Sequence, residues 1–151
     1  MAGLFDYNNP SAECFSDETP ILCDLADSEW DVLISYMERK VYPARSRIVG
    51  AGQRDRALYL IVTGTVSVVV DTPKGPSQAA AIAEGSVFGE RSFFDGEPRL
   101  ASVIAQDQVE VLCLRVESLE QLSAWHPRIA LKLLLELGKV LSKRSRRTLP
   151  T

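Results

Sequence analysis

A chain of 151 residues with 46% hydrophobic and 25% charged side chains has the size and balance of one globular domain with a real core. Twenty acidic against 17 basic side chains leave a net charge of −3, which excludes a molecule that attracts nucleic acid with its whole surface. A single histidine, His126, excludes a multi-histidine metal centre and a histidine pair for acid–base work.

Residues 1–20 are rich in Asn, Pro, Ser and acids and read as a loose arm. No basic region followed by an apolar stretch marks secretion there. Cys14, Cys23 and Cys113 are odd in number and in no metal-binding spacing. They read as free thiols of a reducing compartment, with Cys113 as a small core hydrophobe. The longest apolar runs, Leu58 to Val62 and Val66 to Val70, are too short for a membrane span. The expected location is cytoplasmic.

Leu22 to Lys40 reads as helix, with Asp27 as cap and Trp30, Leu33, Ile34 and Met37 on one face. Pro43 ends that reading. Arg47-Ile48-Val49, Ala57 to Val62 and Val66 to Val70 are strand-like, the last two joined through Gly64 as a hairpin. Asp71 to Ala81, with Pro73, Gly75 and Pro76, reads as a polar excursion before a short strand at Ala80 to Ala83. Alternation at Ala101, Val103 and Ala105, then at Val109, Val111 and Cys113, predicts two more strands. Many short strands with small turns predict a barrel or jelly roll. Arg115 to Ser123 is a short predicted helix, and Ile129 to Ser145 the strongest one, striped by Ile129, Leu133, Leu137 and Val140. Leu131 and Leu135 widen that stripe enough for a weak homodimer, although packing on the sheet explains most of it.

Charge gathers at the end. Residues 128–151 carry +6 and the remainder −9. Lys143, Arg144, Arg146 and Arg147 suit the C-terminal end of a helix dipole and read first as a solvated helix end. The patch is short and lacks interleaved aromatics, which disfavours nucleic acid as its partner.

The chemical signal lies in residues 85–103. Phe88 anchors the segment, Gly89 allows a tight start to a short helix at Glu90 to Phe94, and Gly96 ends it. Open first-turn amides attract an anion, and Arg99, read as the start of the next strand, would face them. A guanidinium fork with paired amides suits a phosphodiester, and Glu90 can accept a sugar hydroxyl. The competing reading is a Glu90–Arg99 salt bridge in a tight turn.

Phe88-Gly89-Glu90, eight intervening residues and Arg99-Leu100-Ala101-Ser102-Val103 resemble the phosphate-binding cassette of cyclic nucleotide-binding domains. Gly52 to Ile61 is similar to that family's turn and strand, and Gly64 with Val66 to its hairpin turn. The likeness covers residues 21–147. It implies a mainly β fold with flanking helices: an eight-stranded jelly-roll-like β-roll with an N-terminal helix, a short cassette helix and C-terminal helices. It divides the chain into an arm (1–20), the domain (21–147, with a lid helix at 128–147) and a tail (148–151). It implies ligand contacts from Phe88, Gly89, Glu90, Arg91, Ser92, Arg99, Leu100 and Ala101, with Glu90 on the ribose 2′-hydroxyl and Arg99 on the cyclic phosphate. Residues between Lys139 and Arg147 would cap the purine. Leu100 stands where relatives that favour cyclic GMP often have threonine, so the resemblance favours cyclic AMP over cyclic GMP. Arg91-Ser92-Phe93 departs from the usual Leu-Ala-Leu and brings an extra charge to the cradle.

This reading is of a regulatory sensor that is not an enzyme, with no cofactor and no metal. Hydrolysis would need metal ligands or an activated water, whereas His126, before Pro127, reads as a helix-boundary residue. Phosphate contact would move the Glu90–Phe94 helix, and Leu133, Leu137 and Leu141 would repack. The effector would lie outside this chain. The alternative is a degenerate, ligand-free β-roll acting as a protein-interaction module.

Overall fold

A computed structural model describes residues 15–17, 21 and 24–148. In chain order the elements are β1 (Phe15–Asp17), α1 (Asp27–Ser35), β2 (Glu38–Tyr42), β3 (Arg47–Val49), β4 (Ala57–Thr63), β5 (Val66–Thr72), β6 (Gly75–Ile82), β7 (Val87–Phe88), α2 (Glu90–Asp95), β8 (Ser102–Ala105), β9 (Val109–Arg115), α3 (Val116–Trp125) and α4 (Pro127–Thr148).

Two sheets face each other. One has the order β6-β5-β8-β3 with β1 added parallel to β6, the other β2-β9-β4-β7. Within each four-strand set every pairing is antiparallel. Alternation decides which way each strand points its side chains. Tyr59 and Ile61 of β4 and Val109, Val111 and Cys113 of β9 turn inward to meet Val66, Val68, Val103 and Ala105. Leu58, Leu60 and Leu114 turn outward and form a second core with Leu33, Leu122, Ile129, Leu133 and Leu137. Each such side chain contributes about 1.5–3 kcal/mol by leaving water. The second core therefore clamps α3 and α4 onto the β2-β9-β4-β7 sheet. Glu29 adds a tie, its carboxylate accepting from Lys132 Nζ at 3.0 and 3.1 Å. The Ala26 N–H and the Lys132 ammonium hold that carboxyl below its usual pKa.

The β-roll with flanking helices is the predicted architecture, and several boundaries differ from expectation. Residues 22–40 are not one helix. Helix α1 stops at Ser35, and residues 38–42 pair with β9 from Glu38↔Cys113 to Tyr42↔Val109 as an edge strand. Polar residues are tolerated on a sheet edge, and alternation there was masked by the adjacent helical spacing. The cap is Ala26, not Asp27; Ala26 N–H donates to Glu29 Oε1 at 3.1 Å. The expected excursion at 71–81 is a β5–β6 hairpin closed by a tight turn, in which Thr72 Oγ1 donates to the Gly75 carbonyl. Residues 15–17 of the arm form β1; Cys14 and Cys23 lie outside the described residues. Cys113 is buried, and burial pushes its thiol pKa up. His126 is the C-cap of α3, with its ring edge-on to Tyr36. No helix among the described residues is long and apolar enough to cross a membrane.

Candidate functional site

Strands β4, β5, β7 and β8 bring the cassette to one side of the roll. Phe88 is buried and stacks on Tyr59 with ring centroids 4.8 Å apart. Gly89 then turns the chain at φ +82° into α2, and Gly96 ends that helix at φ +71°. A Cβ on Gly89 would lie 2.6 Å from Arg99 Nη1, so the cassette arginine can approach this backbone only because the residue is glycine.

Arg99 is not in a strand. It lies in the loop before β8, where its N–H donates to the Gln53 carbonyl (2.9 Å) and its carbonyl accepts from Gly52 N–H (2.7 Å). Those bonds hold it across from the end of the Gly50–Gln53 turn. Its guanidinium is buried. Nε and Nη2 donate to the two carboxylate oxygens of Asp55, Nη2 also to the Ala57 carbonyl at 2.8 Å, and Nη1 to the Gly89 carbonyl at 3.3 Å. These four bonds use four of the five N–H donors of the group. The Tyr59 ring lies under the guanidinium at 5.9 Å, in range for a cation–π contribution. Burial keeps the Tyr59 hydroxyl protonated, its pKa raised far above the usual value.

The Glu90–Arg99 pair considered from the sequence is not formed. Glu90 is paired with Arg144 of α4, Oε1 to Nη1 at 2.8 Å, with side-chain exposures of 7% and 1%. Arg144 Nη2 also donates to the Val87 carbonyl at 2.7 Å and lies 3.4 Å from Ser86 Oγ. Arg144 is thus no part of a solvated basic tail. It runs from the last helix into the cassette.

Between these groups lies a recess lined by Phe88, Gly89, Glu90, Arg91, Ser92, Arg99, Leu100, Ala101 and Arg144, floored by Val49, Val68, Ile82 and Val103. All eight residues expected at a ligand site line this recess. Glu90, Ser92 and Arg99 are buried, and Leu100 is 54% exposed, so its bulk turns outward instead of filling the gap. The recess is a partly open cleft and not an enclosed cavity.

The family profile described as the cyclic nucleotide-binding domain matches residues 39–125. The chain belongs to that family. A cyclic nucleotide-binding domain from Methylobacillus flagellatus superposes with a TM-score of 0.78 at 34% identity, covering 84% of this chain and 72% of that one. The catabolite activator protein of Thermus thermophilus gives 0.72 at 31%, covering 85% and 61%. In sequence, the cyclic AMP receptor protein of Thermus thermophilus is 34% identical over 97 residues, 64% of this chain and 45% of the relative. The cAMP-dependent protein kinase regulatory subunit of Aspergillus niger is 30% identical over 110 residues, 73% and 26%. This chain spans less than half the length of those two curated relatives. Among the described residues no cluster of His, Cys, Asp or Glu is arranged to hold a metal ion.

Sequence reasoning missed Asp55, and it placed Arg144 only within the Lys139–Arg147 stretch and not as the partner of Glu90. Asp55 lies in the Gly52–Ile61 stretch that carries part of the likeness, so its place beside the arginine was within reach. Arg144 was counted with the basic end. Its position one turn after Val140, on the side where α4 packs, was the available signal.

The glycine at the turn yields one test. Gly89→Ala adds left-handed strain of about 1–2 kcal/mol and a clash with Arg99; Gly75→Ala, at φ +108° with nothing within 4 Å, adds strain alone. Thermal melts are expected to show the larger loss for Gly89→Ala, by several degrees.

Proposed function

We propose that this domain binds a cyclic nucleotide, cyclic AMP ahead of cyclic GMP, and reports occupancy through α4 to an effector outside the residues described. Family membership supports cyclic-nucleotide binding in general. The observation that carries the finer reading is the Glu90–Arg144 pair, because it joins the cassette to the last helix directly.

In this reading Arg99 places one unshared N–H and a buried positive charge beside the Gly89–Ser92 turn. A phosphodiester oxygen accepts from Arg99 Nη1 and from the backbone amides near Ser92 and Ala101, and Asp55 holds the guanidinium plane in the required orientation. Glu90 accepts the ribose 2′-hydroxyl. Leu100 offers guanine no hydrogen bond, which leaves cyclic AMP the favoured ligand. Arg91 lines the recess without an ion-pair partner among the described residues, and adds positive potential toward the phosphate.

Coupling follows from position and charge. The recess is partly open, and Arg144 forms part of its wall. Arg144 is the part of that wall that belongs to a separate helix, and the carboxylate it holds is the one the ribose needs. The ligand thus has different interaction energy with two positions of α4, which is the requirement for an allosteric effect.

The test is a melt of nucleotide-stripped protein with cyclic AMP, cyclic GMP and 5′-AMP. Cyclic AMP at about 100 times its dissociation constant is expected to stabilise by ~2.7 kcal/mol, with cyclic GMP weaker and 5′-AMP weaker still. No shift up to millimolar cyclic nucleotide contradicts the proposal and favours the protein-interaction module. An equal shift with 5′-AMP would reduce the site to a general phosphate site.

A further inference from the structure

Three consecutive residues, Asp55 and Arg56 just before β4 and Ala57 as its first, hold the two ends of the cassette. Asp55 and the Ala57 carbonyl grip Arg99. Between them Arg56 reaches the opposite end of the cassette. Its Nε donates to the Phe93 carbonyl at 3.0 Å and its Nη2 to the Phe94 carbonyl at 2.7 Å. These are among the terminal carbonyls of α2 that lack a partner in a helix this short, and a cation there also opposes the negative end of the helix dipole. The Arg56 stem packs under the Gly96 turn, where a Cβ would approach its Cδ to 3.3 Å. Its own carbonyl accepts the Val116 N–H at 3.1 Å, the first residue of α3. One residue therefore grips the end of the cassette helix with its side chain and the beginning of the C-terminal helices with its backbone.

We infer that Arg56 is a positioning residue of the nucleotide site, which fixes α2 relative to α3 so that the cassette and the C-terminal helices move together. The inference rests on the nucleotide-binding reading above. It differs from the Glu90–Arg144 tie in joining the other end of α2, and the base of α3 instead of the far part of α4. A planar guanidinium is needed, because two neighbouring carbonyls are bridged by two N–H groups in a fixed fork; a lysine ammonium keeps the charge without that geometry.

The two tryptophans supply a readout. Trp125 is at the end of α3 and 77% exposed, while Trp30 is partly buried against the second core. Protein labelled with 5-fluorotryptophan gives a ¹⁹F resonance for each, assigned with Trp30→Phe. Cyclic AMP titrations of wild type, Arg56→Ala and Arg56→Lys would be followed by calorimetry and by the Trp125 resonance at saturation. The expected result is a dissociation constant at least about tenfold higher in Arg56→Ala, and a saturated Trp125 shift less than half that of wild type. Arg56→Lys should recover neither fully. Circular dichroism checks that each variant is folded, and Arg56→Gln replaces Arg56→Ala if that variant is not. Wild-type affinity and a full Trp125 shift in the folded alanine or glutamine variant would overturn the inference while leaving the nucleotide site standing. Wild-type protein that binds no cyclic nucleotide would overturn the reading of the site and this inference with it.

Discussion

Arg99→Leu is expected to raise the dissociation constant for cyclic AMP by at least about 100-fold while the protein remains folded. Hydrogen bonds to a charged group are each worth about 1.5–3 kcal/mol, and roughly 1.4 kcal/mol is a factor of ten. Losing the guanidinium contact and the field it provides at the phosphate reaches that range. Stability of the free protein should fall as well. The variant leaves the Asp55 carboxylate without its donor and takes the guanidinium from the Ala57 and Gly89 carbonyls, of which Gly89 keeps the Phe93 N–H. Asp55 is 20% exposed and can regain water, so the loss lies nearer 2–3 kcal/mol than the ~3–5 kcal/mol of a fully buried broken pair. Arg99→Lys separates the two effects: it keeps the charge at the phosphate, loses the fork on Asp55, and should bind better than the leucine variant. Calorimetric titration and urea unfolding of the three proteins check both parts.

The second large effect is on Arg144. Arg144→Met keeps most of the stem and removes the charge, which leaves Glu90 at 7% side-chain exposure with no counter-ion. Removing one partner of a buried pair costs about 3–5 kcal/mol, a sizeable fraction of the 5–15 kcal/mol typical of a whole domain. Urea unfolding should show that loss, and hydrogen exchange should show earlier opening of the last turns of α4. The double variant Glu90→Gln/Arg144→Met is expected to regain much of the stability without regaining the response of α4 to nucleotide. If Arg144→Met unfolds at the same urea concentration as wild type, Arg144 does not tie α4 to the cassette.

Much of this was legible in the sequence, for reasons that particular residues make plain. The strands at 57–63 and 109–115 lie between two cores and carry apolar side chains on both faces, whereas 66–70 buries Val66, Val68 and Val70 on one face, so each strand is a local signal. Gly89 and Gly96 were legible because a left-handed turn at each end of a six-residue helix leaves few other choices. The cassette spacing from Phe88 to Val103 pointed to residues that line one recess. Edge strand β2 was not legible, since Glu38, Arg39 and Lys40 are set by solvent and by pairing with β9, with Arg39 meeting Glu110 across it. Nor were the partners of the charged groups. Asp55 with Arg99, Glu90 with Arg144 and Arg56 with the Phe93 and Phe94 carbonyls are separated by 37 or more residues in the chain. Only the closing of the two sheets, and the docking of α4 on one of them, brings them together. Arg144 shows the limit best: composition places it in a basic tail, and packing places it in the cassette.

Calorimetric titration of protein freed of bound nucleotide measures the central claim most directly, with cyclic AMP, cyclic GMP and cyclic di-GMP in separate runs. One cyclic AMP per chain, bound more tightly than cyclic GMP, with the heat lost in Arg99→Leu, is the outcome that follows from the buried Arg99 and the unhydroxylated Leu100. No heat with any of the three up to millimolar concentration, from protein whose fold is verified by circular dichroism, would contradict it and leave the roll as a surface for another protein.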